Sequence, residues 1–119
     1  MRVLHILDHS LPYLSAYSFR TSYILLQQRA LGMKPVVLTA PSHESPDNSC
    51  ELHQAVNHYR TRWPDFYFLP QPRFVPLLRH KAYISALRNR IIEVARDCNA
   101  ELIHAHSPAS NGMAAALAA

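Results

Sequence analysis

The 119-residue sequence predicts an α/β protein, an open, doubly wound parallel sheet with helices on both faces. Three observations lead there. Residues 3–7 form a short apolar run at the N-terminus, closed by Asp8-His9-Ser10. Similar runs recur at 35–38 and 102–105, as suits strands buried on both faces. Segments with helical apolar spacing stand between and after them, so the order is β-α-β, an irregular stretch, then α-β-α.

Each element has its own signals. After a loop containing Pro12, the helix over 17–31 places Phe19, Tyr23, Leu26 and Ala30 on one face. Ser15 or Ser18 can cap its start, and Gly32 stands where a helix terminates. The second strand, 35–38, ends in Thr39-Ala40-Pro41. Residues 42–49 are polar and read as a surface loop. Residues 51–62 fit either a helix or a two-stranded element near 51–54 and 57–61. The stretch 63–76 carries four prolines and stays irregular, apart from a short strand at 66–69. The strongest helix covers 78–97, with Ile84, Leu87, Ile91, Val94 and Cys98 on one face and Arg88, Arg90 and Arg96 on others. Asn99 can end it. The strand at 102–105 stops before Pro108, and a helix restarts over 109–119. The chain stops inside this alanine-rich helix with few strands in hand, which reads as a partial domain.

Composition excludes several functions. There are two glycines, Gly32 and Gly112, where average usage of about 7% would give roughly eight. Neither a GxGxxG dinucleotide fingerprint nor a phosphate-binding P-loop can be written with them. Cys50 and Cys98 form no CxxC, so neither a zinc ribbon nor a disulfide framework is indicated, and a reducing cytoplasm fits. The N-terminal apolar run, broken by His5 and ended by Asp8, is not a signal peptide. The net charge is +4, carried by ten arginines and two lysines. Arginine favours phosphate and carboxylate partners.

Three constellations could carry chemistry. His104 and His106 alternate on a strand and share a face, with His106 nearer the carboxyl end, where open α/β sheets bind ligands. A histidine there can hold a substrate hydroxyl or move a proton. No third ligand stands at a definable spacing, so no metal is expected. The loop entering the first helix offers free N–H groups and a positive dipole end, with Arg20 one turn in. From Trp63 to Arg90, aromatics alternate with Arg60, Arg62, Arg73, Arg79, Lys81, Arg88 and Arg90. That composition suits a peripheral membrane surface or single-stranded nucleic acid. It equally suits aromatics in a core with solvated arginines.

The opening MRVLHILDHSLP, then Tyr17-Ser18-Phe19-Arg20-Thr21 and Gln28-Arg29-Ala30-Leu31-Gly32, resembles the N-terminal half of family 4 glycosyltransferases. Ile103-His104-Ala105-His106-Ser107-Pro108, with Gly112 beyond, is similar to that family's strand-end HxH pattern, and the nearest likeness is to the branch associated with exosortase and PEP-CTERM exopolysaccharide clusters. The resemblance implies a Rossmann-like N-terminal domain of a GT-B fold, serving the acceptor. The donor-binding domain would then lie beyond residue 119. It also implies retaining transfer of a sugar from a nucleotide-sugar to a glycan or lipid-linked acceptor, without metal or other cofactor. His106 would line the cleft as the candidate catalytic residue. His9, Ser15, Ala16, Tyr17 and Arg20 would bind substrate. Ala16 stands where the family usually has glycine, and its Cβ narrows the approach to a diphosphate.

The sequence therefore leads to the acceptor-side part of a glycosyltransferase, inactive alone, cytoplasmic and peripheral on the inner membrane through the segment from Trp63 to Arg90, with no nucleic acid partner. The alternative is a non-catalytic basic module binding nucleotide or nucleic acid.

Overall fold

The computed structural model describes residues 1–8, 15–41, 50–53, 56–62, 75–107 and 109–119. Five strands and three helices follow in the order β1 (Arg2–Leu7), α1 (Ala16–Ala30), β2 (Lys34–Thr39), β3 (Cys50–His53), β4 (Val56–Tyr59), α2 (Val75–Asp97), β5 (Leu102–Ala105) and α3 (Ser110–Ala118). They make one sheet of order β3-β4-β2-β1-β5. β1 pairs in parallel with β2 and β5, and β2 with β4, while β3 runs antiparallel to β4 at the edge. The sheet is thus mixed and mostly parallel, not wholly parallel. Between the two expectations for residues 51–62, the structure has the two-stranded element. The expected strand at 66–69 and the loops around Pro12 and over 42–49 lie outside the described residues, as does His9.

β1 is an interior strand between β2 and β5, and Val3 to Leu7 are all buried. Alternation sends Leu4 and Ile6 to one face, where Ile84, Leu87, Ile91 and Val94 of α2 and Ala114 of α3 complete the larger core. Leu7 points to the other face, against Leu25 of α1, Val37 and Val56. Helices therefore cover both faces, as the sequence led us to expect. The apolar face of α2 is the one its spacing predicts. α2 begins earlier than expected, at Val75, with Pro76 in the first turn, where a missing N–H costs nothing.

α1 departs from expectation. Phe19, Tyr23 and Leu26 are more than half exposed, and Ala30 is exposed as well. The buried face is Ser18, Thr21 and Leu25, continued by the half-buried Gln28. It is turned one to two residues, about 150°, from the apolar stripe. The hydroxyls on it are satisfied locally. Thr21 donates to the Tyr17 carbonyl at 2.8 Å, and Ser18 meets the Ser15 hydroxyl at 3.2 Å. Small, internally bonded side chains can lie against a sheet without an unpaired polar group.

α1 is closed at both ends. Ser15 Oγ accepts from the Ser18 N–H at 3.1 Å, a true N-cap. Gly32 has φ +84°, and Gly32 and Met33 donate to the carbonyls of Arg29 and Gln28, both at 3.0 Å. That is a Schellman motif. The same motif ends α2, with Asn99 at φ 52° and Ala100 donating to Ala95 at 3.0 Å.

Two arginines of the basic segment are structural. Arg60 is 1% exposed and donates to Glu51 Oε2 at 3.1 Å and Thr39 Oγ1 at 3.3 Å. Arg90 is buried too, donates to the Arg60 carbonyl at 3.0 Å and pairs with Glu93 at 2.9 Å. Arg90, the last residue of the segment expected at a membrane, is turned inward, and the two guanidiniums tie β2, β3 and the end of β4 to α2.

Three stability outcomes follow. Nothing lies within 4 Å of a Cβ built on Gly32, so Gly32→Ala carries only the left-handed backbone penalty. It should cost about 1 kcal/mol in urea unfolding. Arg60→Ala removes charge-assisted hydrogen bonds and should cost about 2–3 kcal/mol. Arg96→Ala, on the exposed side of α2, should stay within about 0.5 kcal/mol.

Candidate functional site

The register between β1 and β5 builds the site. His5 stands directly opposite His104, and the His106 N–H continues the ladder to the Ile6 carbonyl at 3.1 Å. All three rings project to the α1 face. Their centroids lie 5.2 Å apart for His5 and His104 and 5.1 Å for His5 and His106. His104 and His106 stack at 4.1 Å. The ligand nitrogens of the three all lie within 4.8 Å of one another.

His5 is fully buried, yet both its nitrogens are occupied. Nε2 meets Gln28 Oε1 at 2.7 Å, and Nδ1 meets His106 Nε2 at 2.8 Å. With the amide oxygen turned to the ring, only one proton order satisfies the row. His5 donates from Nε2 to Gln28, its Nδ1 accepts from His106 Nε2–H, and His106 Nδ1 keeps a lone pair. Gln28 is itself well placed, because its backbone carbonyl closes the Schellman turn of α1.

Next to this row lies a second polar group. Ser107 Oγ donates to Asp8 Oδ2 at 2.5 Å, and Asn111 Nδ2 donates to Asp8 Oδ1 at 2.9 Å. Asp8 thereby joins the end of β1 to the start of α3. Tyr17 approaches from α1. Its hydroxyl lies beside the Asp8 backbone and Ser107, and burial pushes its pKa above the usual tyrosine value. Among the described residues it completes no hydrogen bond of good geometry, and neither does Asn111 Oδ1. The Arg20 guanidinium sits over the Tyr17 ring, 5.8 Å from its centroid.

Electrostatics set what the histidines can do. Burial first, then the neighbouring His104, His5 and Arg20, pushes His106 down to about 4. Burial also lowers His5; the Gln28 hydrogen bond opposes this and His104 adds to it. At neutral pH both rings are uncharged. They act as hydrogen-bond partners, lone-pair donors or ligands, not as cations. Any positive charge offered to an anion here comes from Arg20.

The structure thus brings together His106, Tyr17 and Arg20 of the sequence-predicted residues. Ser15 stands at the same end of α1, but its hydroxyl is engaged in the cap. Ala16 is exposed beside it. His5, Gln28 and Asp8 were missed as members of the site. His5 looked like a break in an apolar run, and only its register with His104 shows it to be the third imidazole. Two grooves lie on the opposite face, against the helices. One, of about 490 Å³, runs between β5 and α3 and is lined mostly by alanines, with Leu102 and Ile103. The other, of about 450 Å³, lies between α2 and α3 and is lined by Lys81, Ile84, Ser85, Arg88, Met113 and Leu117. Among the described residues no helix is long and apolar enough to cross a membrane.

Comparison with protein-family models, with curated proteins and with solved structures gives no match to this chain.

The histidine row has a pH signature. An unfolded His106 takes up its proton near 6.5, the folded one only near 4. Between these values the unfolded chain binds more protons, so stability should fall as pH drops from 6.5 toward 4 and level off for this group below that. Urea midpoints measured in EDTA across that window should show the decline, and His106→Gln should flatten it.

Proposed function

We propose that this chain is the acceptor-side, Rossmann-like domain of a retaining glycosyltransferase that uses a nucleotide-sugar and a glycan or lipid-linked acceptor, in the manner of exopolysaccharide synthesis. One observation carries the reading. Tyr17 and Arg20, from the first two turns of α1, meet His106 and Ser107 at the end of β5 and Asp8 at the end of β1. That is the crevice where open α/β sheets hold ligands. The resemblance of the opening and of the HAHSP segment to family 4 glycosyltransferases supports the reaction class.

The residues divide the work by charge. Neutral His106 accepts a hydrogen bond from a sugar hydroxyl through Nδ1. Tyr17 offers a hydroxyl that has no settled partner among the described residues. Arg20 supplies the cation for a phosphate. The basic-module alternative is weakened by Arg60 and Arg90, whose guanidiniums are buried in internal bonds. The groove flanked by Lys81 and Arg88, with exposed Met113 and Leu117, supports contact of the α2–α3 face with a membrane surface.

Two measurements test this. Titrating the ¹⁵N-labelled chain with short glycans and with UDP- and GDP-sugars should move the resonances of Tyr17, Arg20, His106 and Ser107 together, and Arg20→Ala should weaken binding of the diphosphates about tenfold or more. Shifts scattered over the surface, or none, would overturn the proposal. Separately, Lys81→Glu with Arg88→Glu should release the chain from anionic vesicles, and unchanged vesicle binding would remove the membrane contact.

A further inference from the structure

We propose that His5, His104 and His106 form a binding site for a divalent transition metal, of the zinc class, on the α1 face of the sheet where β1 and β5 end. The site goes beyond the glycosyltransferase reading and does not depend on it.

Three features of the geometry lead there. The donor set is three imidazole nitrogens gathered within 4.8 Å of one another. Imidazole ligands suit zinc, copper and nickel, whereas magnesium and calcium ask for oxygen. The carboxylate that follows β1, Asp8, is held by Ser107 and Asn111. Three histidines also leave a fourth tetrahedral position open, as in zinc sites that carry a water or a substrate atom.

The second feature is support behind a ligand. Metal-bound histidines nearly always give their other ring N–H to an oxygen acceptor, which fixes the tautomer and aims the lone pair. His5 already has this arrangement. Its Nε2–H is held by Gln28 Oε1 at 2.7 Å, so Nδ1 presents its lone pair toward His106.

The third feature is that little has to move. Tetrahedral zinc with nitrogens at about 2.0–2.1 Å sets neighbouring ligands roughly 3.3 Å apart. The His5 to His106 contact is 2.8 Å and would open by about half an ångström. His106 would pass its proton from Nε2 to Nδ1, a tautomer change without net charge that turns Nδ1 from the acceptor of the metal-free chain into a donor. His104 is exposed, so its ring can turn out of the stack with His106 to complete the set.

The test uses the untagged chain and zinc or cobalt alone, with no sugar nucleotide present, so its outcome is separate from that of the glycosyltransferase reading. Calorimetry should give one zinc per chain with a dissociation constant in the micromolar range or tighter. Cobalt should show the intense visible bands of tetrahedral coordination. His104→Ala removes an exposed ligand and should weaken zinc at least tenfold while circular dichroism shows the fold intact. Gln28→Leu should weaken it about 10–100-fold, and Gln28→Glu should restore it, as expected for a group acting behind a ligand. His80→Ala, on exposed α2, should change nothing. Binding that survives His104→Ala, that His80→Ala also abolishes, or that is absent at millimolar zinc would overturn the proposal.

Discussion

The structure turns on a polar residue in the least polar place available. His5 occupies the middle of β1, an interior strand buried on both faces, with apolar neighbours on both sides in sequence. A buried imidazole needs both nitrogens satisfied or it destabilises the core. Gln28 and His106 meet that need. The requirement reaches outward from there. It fixes how α1 is rotated on the sheet, because Gln28 must face inward. It fixes which ring of β5 meets β1. Burial, against the pull of the Gln28 hydrogen bond, keeps charge off the histidines that a ligand would meet.

This explains the orientation of α1, which hydrophobicity does not. Leu25 is the one large apolar side chain on its buried face, while Phe19, Tyr23 and Leu26 lie in solvent. Placing the apolar stripe against the sheet would bury more carbon surface but would swing Gln28 away and leave His5 Nε2 without a partner. The Schellman turn at Gly32 helps hold the observed choice, since it anchors the Gln28 backbone at the point where its side chain is needed. A comparable substitution of polar for apolar logic joins β4 to α2 through Arg60 and Arg90.

Much of the fold was legible in the sequence because it rests on period. Continuous apolar runs located β1, β2 and β5, and a 3–4 repeat located the buried face of α2. The Ser15 cap and the Gly32 and Asn99 terminators were visible as residue types in the right places. What escaped was set by partners far away in the chain. The rotation of α1 depends on His5, about two dozen residues earlier. The burial of Arg60 depends on Glu51 and Thr39. The direction of β3 depends on its pairing with β4, and no local pattern encodes it. The candidate site divides in the same way. His106, Tyr17 and Arg20 could be picked from strand-end and helix-start logic. His5 could not, because its role depends on a register across roughly a hundred residues of sequence.

The central claim is that Gln28, His5 and His106 form one hydrogen-bonded row with a single proton order. Imidazole ¹⁵N spectra of the metal-free chain at neutral pH test it most directly. The account predicts neutral rings for both histidines, with His5 and His106 each protonated at Nε2, and a coupling carried across the His106 to His5 hydrogen bond. Two rings averaging freely between tautomers, with no coupling between them, would contradict it.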